Sequence, residues 1–322
     1  MSDHIPQEVL TEIFLRLPVR SILRCRCVCK LWYSLISNPN FIFLHSKQIT
    51  YSKNNNTGYL LMRHYSRTNK KESFTLHLDD DDLFSHEYQN LDFPLRSSWD
   101  YFEIVGSCNG ILCLTDNHSH MLKRIVLWNP SIGLSVTLPL QRIRYRVLNV
   151  VLGFGYDSRT NDYKVVLEGA IHWVGYYSPE KLTIAVFLVH DEEFKEFKVP
   201  DEISGTSVQH LSVMLCGELL SIIQYKKRRN HLGYESCCIW IMNEYGADDS
   251  WTKLFNVFIG GVEGLGKVLG LRNNFEVLVV RENGELISYD PWNLSIKCLG
   301  IYGESCSFYA AKYMESLVLL KK

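Results

Sequence analysis

A chain of 322 residues has room for one large domain or two, and 46% hydrophobic with 21% charged residues is the balance of a folded protein with a sizeable core rather than a disordered one. Lys plus Arg number 34 against 35 Asp plus Glu, so no global charge favours nucleic acid or a membrane surface as a partner. No apolar run approaches the ~18 residues of a membrane span, and MSDHIPQEVL lacks the basic and then apolar segments of a secretory leader, so we expect a protein of the cytoplasm and/or nucleus, with its ten cysteines reduced and the sequons at Asn55, Asn117 and Asn293 silent.

Residues 5–37 read as two or three short packed helices. Pro6 suits a first helical turn, Val9, Leu10, Ile13, Phe14 and Leu17 recur at helical spacing, and Leu17-Pro18 ends the run. A second apolar set runs through Ile22, Leu23, Cys27, Val28, Leu31, Trp32, Leu35 and Ile36, opened by Ser21 as a cap and closed at Asn38-Pro39. Leu10, Phe14, Leu17, Ile22, Leu23 and Trp32 are too many large side chains for so small a core, so some should face a partner, and the unit should lean on that partner for stability. Arg16, Arg20, Arg24, Arg26 and Lys30, with no acid among them, are a solvated face or the rim of a contact with an acidic surface. Cys25, Cys27 and Cys29, spaced i, i+2, i+4 on a helix, splay apart and have no fourth ligand nearby; buried thiols are expected there, and no metal.

Beyond about residue 47 the texture changes to short strand-like runs broken by Gly, Asn, Asp and Pro, with Tyr51 to Thr57 as the linker and Asp79 to Asp82 as a solvated loop without the ligand pattern of a calcium site. A strand, a turn with Asp or Asn, and a second strand recur at VLWNPSIGLSVTLP (Val126), GFGYDSRTNDYKVV (Gly153), VFLVHDEEFKEFKVP (Val186), IWIMNEYGADDSWTKLF (Ile239) and LISYDPWNLSIKCL (Leu286). Partner strands start at Asn109, Glu168, Cys216 and Asn283. Hairpins that cannot bury a face alone point to radial assembly, a β-propeller-like ring, with a sandwich of similar strands as the alternative. Gly261 to Lys267 imitates a phosphate-binding loop, but Val268 stands where a Ser or Thr must hold Mg²⁺ and no helix follows, so nucleotide binding is rejected. His172 reads as a sheet histidine, Cys108 and Cys113 as core, and no thiol sits beside a legible base; no catalytic residue, cofactor or metal is assigned.

Residues 6–46 resemble an F-box, on the strength of Pro6 and Glu8, of Leu17-Pro18-Val19, and of Cys27-Val28-Cys29-Lys30 followed by Trp32, Leu35 and Ile36. The remainder, about residues 58–320, resembles the F-box-associated interaction domain of plant F-box proteins, the group of S-locus F-box and kelch-like relatives. Its motifs are Gly106-Ser107-Cys108-Asn109-Gly110, Trp128-Asn129-Pro130, Gly153 to Asp157, Asn161 to Val166, and Ile239 to Met242 with Ser250 to Lys253. The resemblance implies an α+β multidomain chain, with a short all-α F-box over residues 1–46 and an all-β, propeller-like (kelch-like) domain over 58–320. It further implies docking on a Skp1-type adaptor through Pro6, Leu10, Phe14, Leu17, Pro18, Ile22, Leu23, Val28 and Trp32, a cullin scaffold reached through that adaptor, and a protein target held by the β domain. The chain would then be the non-catalytic substrate-recognition subunit of an SCF-type E3 ubiquitin ligase, or alternatively a ligase-independent protein-binding regulator. One departure from the family pattern stands out, because YKVV at Tyr163 to Val166 runs straight into LEGAIHWV at Leu167 and leaves the chain short of about a blade of strands. Either the ring closes with fewer strands, which shifts its binding face, or, the form favoured here, it stays open or distorted with exposed edges and apolar side chains beside residues 163–174, a form that could still dock through its F-box yet act as an inactive competitor.

Overall fold

The computed structural model describes residues 5–51, 59–79, 88–97, 100–118, 121–139, 152–157, 160, 162–167, 172–178, 181–188, 193–216, 219–227, 233–259 and 264–318. Four helices come first: α1 (Gln7–Leu15), α2 (Val19–Arg26), α3 (Lys30–Ile36) and α4 (Pro39–Tyr51). Pro6 and Pro18 each sit just ahead of a helix, their fixed φ setting the entry of the chain. Ser21 therefore lies inside α2 and does not open it, because Pro18 starts the helix two residues earlier. Cys25 is half-buried, while Cys27 and Cys29 occupy the break between α2 and α3 and are exposed, not buried as their spacing on one continuous helix suggested. Asn38-Pro39 closes α3 and also opens α4. The Asn38 side chain accepts from the Asn40 N–H at 2.8 Å and its carbonyl takes the Ile42 N–H at 3.0 Å, so proline stands at the one helical position that needs no N–H. Tyr51 ends α4; the rest of the expected linker lies outside the described residues.

The β domain is a succession of antiparallel sheets. In the first, β1 (Tyr59–Ser66) pairs on one side with β2 (Lys71–Leu78), which carries β3 (Tyr88–Leu91), and on the other with the last strand, β21 (Tyr309–Tyr313), so the two ends of the domain share a sheet. The second is β4 (Glu103–Cys108), β5 (Ile111–His118), β6 (Met121–Asn129) and β7 (Leu134–Leu138). A lone hairpin follows, β8 (Leu152–Asp157) with β9 (Asp162–Leu167), then three strands, β10 (His172–Ser178), β11 (Lys181–Leu188) and β12 (Glu193–Lys198). Two four-stranded units complete the chain: β13 (Leu211–Cys216), β14 (Leu219–Lys227), β15 (Tyr234–Met242) and β16 (Trp251–Phe258), and β17 (Leu265–Leu271), β18 (Val277–Arg281), β19 (Glu285–Asp290) and β20 (Ser295–Tyr302). Between them the strand ladder is the single pairing of Tyr234 with Leu265, so they are one sheet in hydrogen bonding only at that point and otherwise pack face to face. All five hairpins read from the sequence are present.

The sheets inside the series bury both faces, which is why strands such as β1, β5 and β15 are apolar at consecutive positions rather than at alternate ones. On β1, Leu60 and Met62 pack toward β18 and β19 while Leu61 packs toward β5 and β6. On β15, Cys237 and Ile239 face the β17–β20 unit while Cys238, Trp240 and Met242 face β11 and β12. On β5, Leu112 and Leu114 face the first sheet while Ile111 and Cys113 face the β8–β9 hairpin. Layers stacked sheet against sheet in this order are radial, propeller-like packing, and the sandwich alternative falls. The first strands of successive sheets neighbour one another in the order β8, β4, β21, β17, β13, β10. Between the ends of that series, among the described residues, no buried cluster joins the β8–β9 hairpin to the β10–β12 sheet and the described sheets do not close; residues 140–151 and 168–171 lie outside the described residues. Of the expected solvated loop, Asp79 proves buried. Its carboxylate holds the Arg272 guanidinium at 3.0 Å and the Asn273 N–H at 2.8 Å in the turn after β17; residues 80–82 lie outside the described residues.

Candidate docking surface

The helical module has one core, built from Leu10, Phe14, Val19, Ile22, Leu35, Ile36 and Phe41. Phe14 meets Trp32 edge to face at 5.0 Å between centroids. His45 of α4 reaches back to the Leu17 carbonyl at 3.0 Å, and burial holds its pKa below the usual histidine value, so it stays neutral and ties the α1–α2 turn to α4. Leu317, from beyond the last strand, completes the core, with Ile132 of the β6–β7 turn packed at its edge. Part of the support that so small a unit needs therefore comes from its own β domain.

Of the nine residues expected to dock a partner, Leu10, Phe14 and Ile22 are inside this core and Leu17, Leu23 and Trp32 are half-buried at its border. Pro6, Pro18 and Val28 are exposed, Val28 to 63%. The sequence reading missed the second stripe of α1. Val9 and Ile13 each precede a core residue, and neighbours on a helix stand about 100° apart, so once Leu10 and Phe14 point inward these two point out. They are 47% and 45% exposed, with Ile5 in line ahead of them. Leu31, beside Val28 at the start of α3, is also exposed. The pairs Val9-Leu10 and Ile13-Phe14 were the legible signal, since no single apolar face holds both members. Arg16, Arg20, Arg24 and Lys30 are exposed around these side chains, while Arg26 lies over the Tyr33 ring at 4.8 Å.

Elsewhere the groups that imitate chemistry have structural surroundings. Burial pushes the Cys113 thiol up to about 12 and raises Cys108 and Cys216, which keeps them protonated and poor nucleophiles. The described part of the phosphate-loop imitation is the strand β17, and the Lys267 ammonium donates to the Phe308 carbonyl at 3.3 Å. His172 lies on β10, whose side chain there is outside the described residues.

The F-box domain family matches residues 2–44, and two F-box associated beta propeller domain families match residues 49–168 and 144–309, the latter more than half of the chain. The chain belongs to the F-box associated family. Similar chains are plant F-box proteins. An F-box/kelch-repeat protein of Arabidopsis thaliana is 27% identical over 310 residues, 79% of either chain. An F-box protein of the same plant is 24% identical over 376 residues, covering 90% of this chain and 85% of its own. That alignment is longer than the 322 residues of this chain, so the relative carries stretches with no counterpart here. Among solved structures, the β-propeller domain of the Trilobed protease from Pyrococcus furiosus overlays with a TM-score of 0.28 at 11% identity, over 76% of this chain and 83% of that one, too loosely to bear on the fold.

Proposed function

We propose that this F-box protein is the substrate-receiving subunit of an SCF-type ubiquitin ligase, working in the cytoplasm and/or nucleus. The observation that carries the reading is the unpartnered apolar stripe of Ile5, Val9 and Ile13, with Val28 and Leu31, on a helical module of the F-box family joined to a propeller-like domain. A Skp1-type adaptor covers that stripe, with the arginines as a rim that steers and pairs; through the adaptor a cullin scaffold brings the conjugating enzyme, and the β domain holds the protein to be modified. The receptor supplies proximity. It raises the concentration of target lysines beside an activated ubiquitin and makes no bond itself. The test is co-purification of the full chain with a Skp1-type adaptor and a cullin. Replacing Leu17 and Pro18 by alanine, which loosens the α1–α2 turn, should weaken adaptor binding; undiminished binding by that double variant refutes the assignment.

A second reading rests on the open place between the β8–β9 hairpin and β10–β12. A chain that docks on the adaptor yet holds no target acts as an inactive competitor, or as a regulator outside any ligase. Capture under proteasome inhibition, comparing the full chain with one lacking residues 1–46, separates the readings, because a competitor enriches adaptor and cullin but no further protein that depends on the β domain.

A further inference from the structure

The last described residues of the chain, Met314 to Val318, leave β21 and run between the two domains. The β domain builds a seat for them. Asn129, fully buried in the Trp128-Asn129-Pro130 motif, donates through Nδ2 to the carbonyls of Ser316 and Val318, each at 3.0 Å, while its Oδ1 accepts from the Ser131 N–H. Ser131 Oγ meets the Tyr313 hydroxyl at 2.7 Å and takes the Ser316 N–H at 3.0 Å. Gly110, at φ +76° in the Asn109-Gly110 turn, leaves the necessary room: a Cβ there would stand 2.5 Å from the Met314 carbonyl oxygen and from the Ser316 Cβ. Two of the motifs that carried the family resemblance thus converge on the C-terminal segment.

From that seat the segment grips the helical module at two points. Leu317 is 5% exposed within the helical core. Burial pushes the Glu315 carboxyl up, against the pull of the Val19 N–H and of Arg20, so the side chain lies at the start of α2. Val19 is the first residue of α2, and that helix has no side-chain cap of its own, so an acid from the far end of the chain stands where a helix start favours one. A linker that only tethered the module would need neither contact.

We propose that Met314 to Val318 is a clasp that fixes the angle between the adaptor-docking helices and the ring, with Leu317, Glu315 and Asn129 as positioning residues. The inference deepens the ligase reading and rests on it for its consequence, since a fixed angle selects which lysines of a bound protein come within reach of the conjugating enzyme. Loss of the clasp leaves both binding faces whole and scatters the transfer.

Spectroscopic labels placed at Lys47 on α4 and Lys297 on β20 of the full chain measure the distance between module and ring, with and without a Skp1-type adaptor. The unaltered chain should give one narrow distribution. Leu317→Asp, which drives an unpaired carboxylate into the apolar seat, should broaden it roughly twofold or more, with Leu317→Met retaining the narrow form and Glu315→Gln lying between. Asn129→Ala releases the segment from the β domain without touching the helices and should broaden the distribution while their circular dichroism is unchanged; this variant decides the matter if Leu317→Asp unfolds the module. In a reconstituted ligase, the lysines of the receptor itself that become modified should form a restricted set in the unaltered chain and a wider one in Asn129→Ala. A narrow distribution retained by both Leu317→Asp and Asn129→Ala overturns the clasp. Failure of the adaptor to bind overturns the ligase reading instead, and the distances measured on the free chain still stand.

Discussion

Glu72 of β2 is held in opposition to its own charge. Burial pushes its carboxyl up to about 7, and the nearby Asp116 adds to that, against the pull of the Arg63 guanidinium at 3.7 Å and the Phe102 N–H at 3.1 Å. A carboxylic acid whose folded pKa lies above its unfolded value keeps its proton in the native state while the unfolded chain has lost it, so stability falls as pH rises from about 4.5 to about 7. Thermal melting followed across that window should show the decline, and Glu72→Gln should flatten it; an unchanged slope in the variant would assign the effect to another group. The Asp79–Arg272 pair behaves differently, since both side chains are almost wholly buried and Asp79 also accepts a backbone N–H. Asp79→Asn should cost about 3 kcal/mol in denaturant unfolding, toward the low end for a broken buried pair because Glu276 still holds Arg272 at 2.8 Å. Neither residue announces this in the sequence. Asp79 stands in a run of aspartates that reads as a solvated loop, and its partner is 193 residues away.

At the scale of elements, α1 separates into a stripe that holds the module together and a stripe that is free to dock. Leu10→Ala or Phe14→Ala should open a cavity and destabilise the module by about 2–5 kcal/mol. Val9→Asp with Ile13→Asp should leave its melting within about 1 kcal/mol and cut affinity for a Skp1-type adaptor roughly tenfold to a hundredfold, measurable by calorimetric titration. Equal adaptor affinity in that double variant would move the docking face off α1. The strands were legible because each carries consecutive apolar residues between turn residues whose backbone chemistry is specific, as in Asn109-Gly110, where both residues have positive φ and match a two-residue hairpin turn. The helix α4 was not, because a proline after an apolar run reads as a stop, and only the Asn38 side chain shows it to be a start. The two stripes of α1 lie between these cases: the periodicity was plain, yet which stripe faces inward depends on α2, α3, α4 and on Leu317, and no local pattern contains that.

For the whole molecule the deciding feature is the place where the described sheets do not close. Ring closure couples the number of blades to the angle between them, so a stretch removed at one point cannot be absorbed by the others, and a gap is expected where YKVV meets LEGAIHWV. Among the described residues the sheets are not closed there, and the strand registers give the residues of the two faces on either side; residues 168–171 lie outside the described residues. On the hairpin, Phe154, Tyr163 and Val165 pack against the second sheet, and the register of β8 with β9 places Gly155, Asp157, Asp162 and Lys164 on the opposite face, with Lys164 and Asp157 in an ion pair at 2.8 Å. On the three-stranded sheet, Leu182, Ile184, Val186 and Phe197 pack toward β14 and β15, and the registers of β11 with β12 and β10 give the other face the positions of Thr183, Ala185 and Phe187, of Lys198, Glu196 and Phe194, and of Trp173. Charged residues are interleaved on these faces, the arrangement by which strand edges and unpaired layers are kept from aggregating. Two outcomes follow for a comparison of this chain with a version carrying a family-typical insert after Val166. Binding of an exposed-hydrophobe dye reads the face on which Trp173, Phe187 and Phe194 take register positions, and equal binding by the two chains would mark the shortened ring as a complete fold. Amide exchange should differ: β9 and β12, which carry the exposed Asp162, Glu196 and Lys198, should exchange faster here than in the extended chain, while β14, β15 and β18, packed on both faces, should exchange alike in the two. Markedly higher dye binding by this chain would show that its terminal faces are torn surfaces, and would favour the inactive competitor over a receptor with a complete, if open, ring.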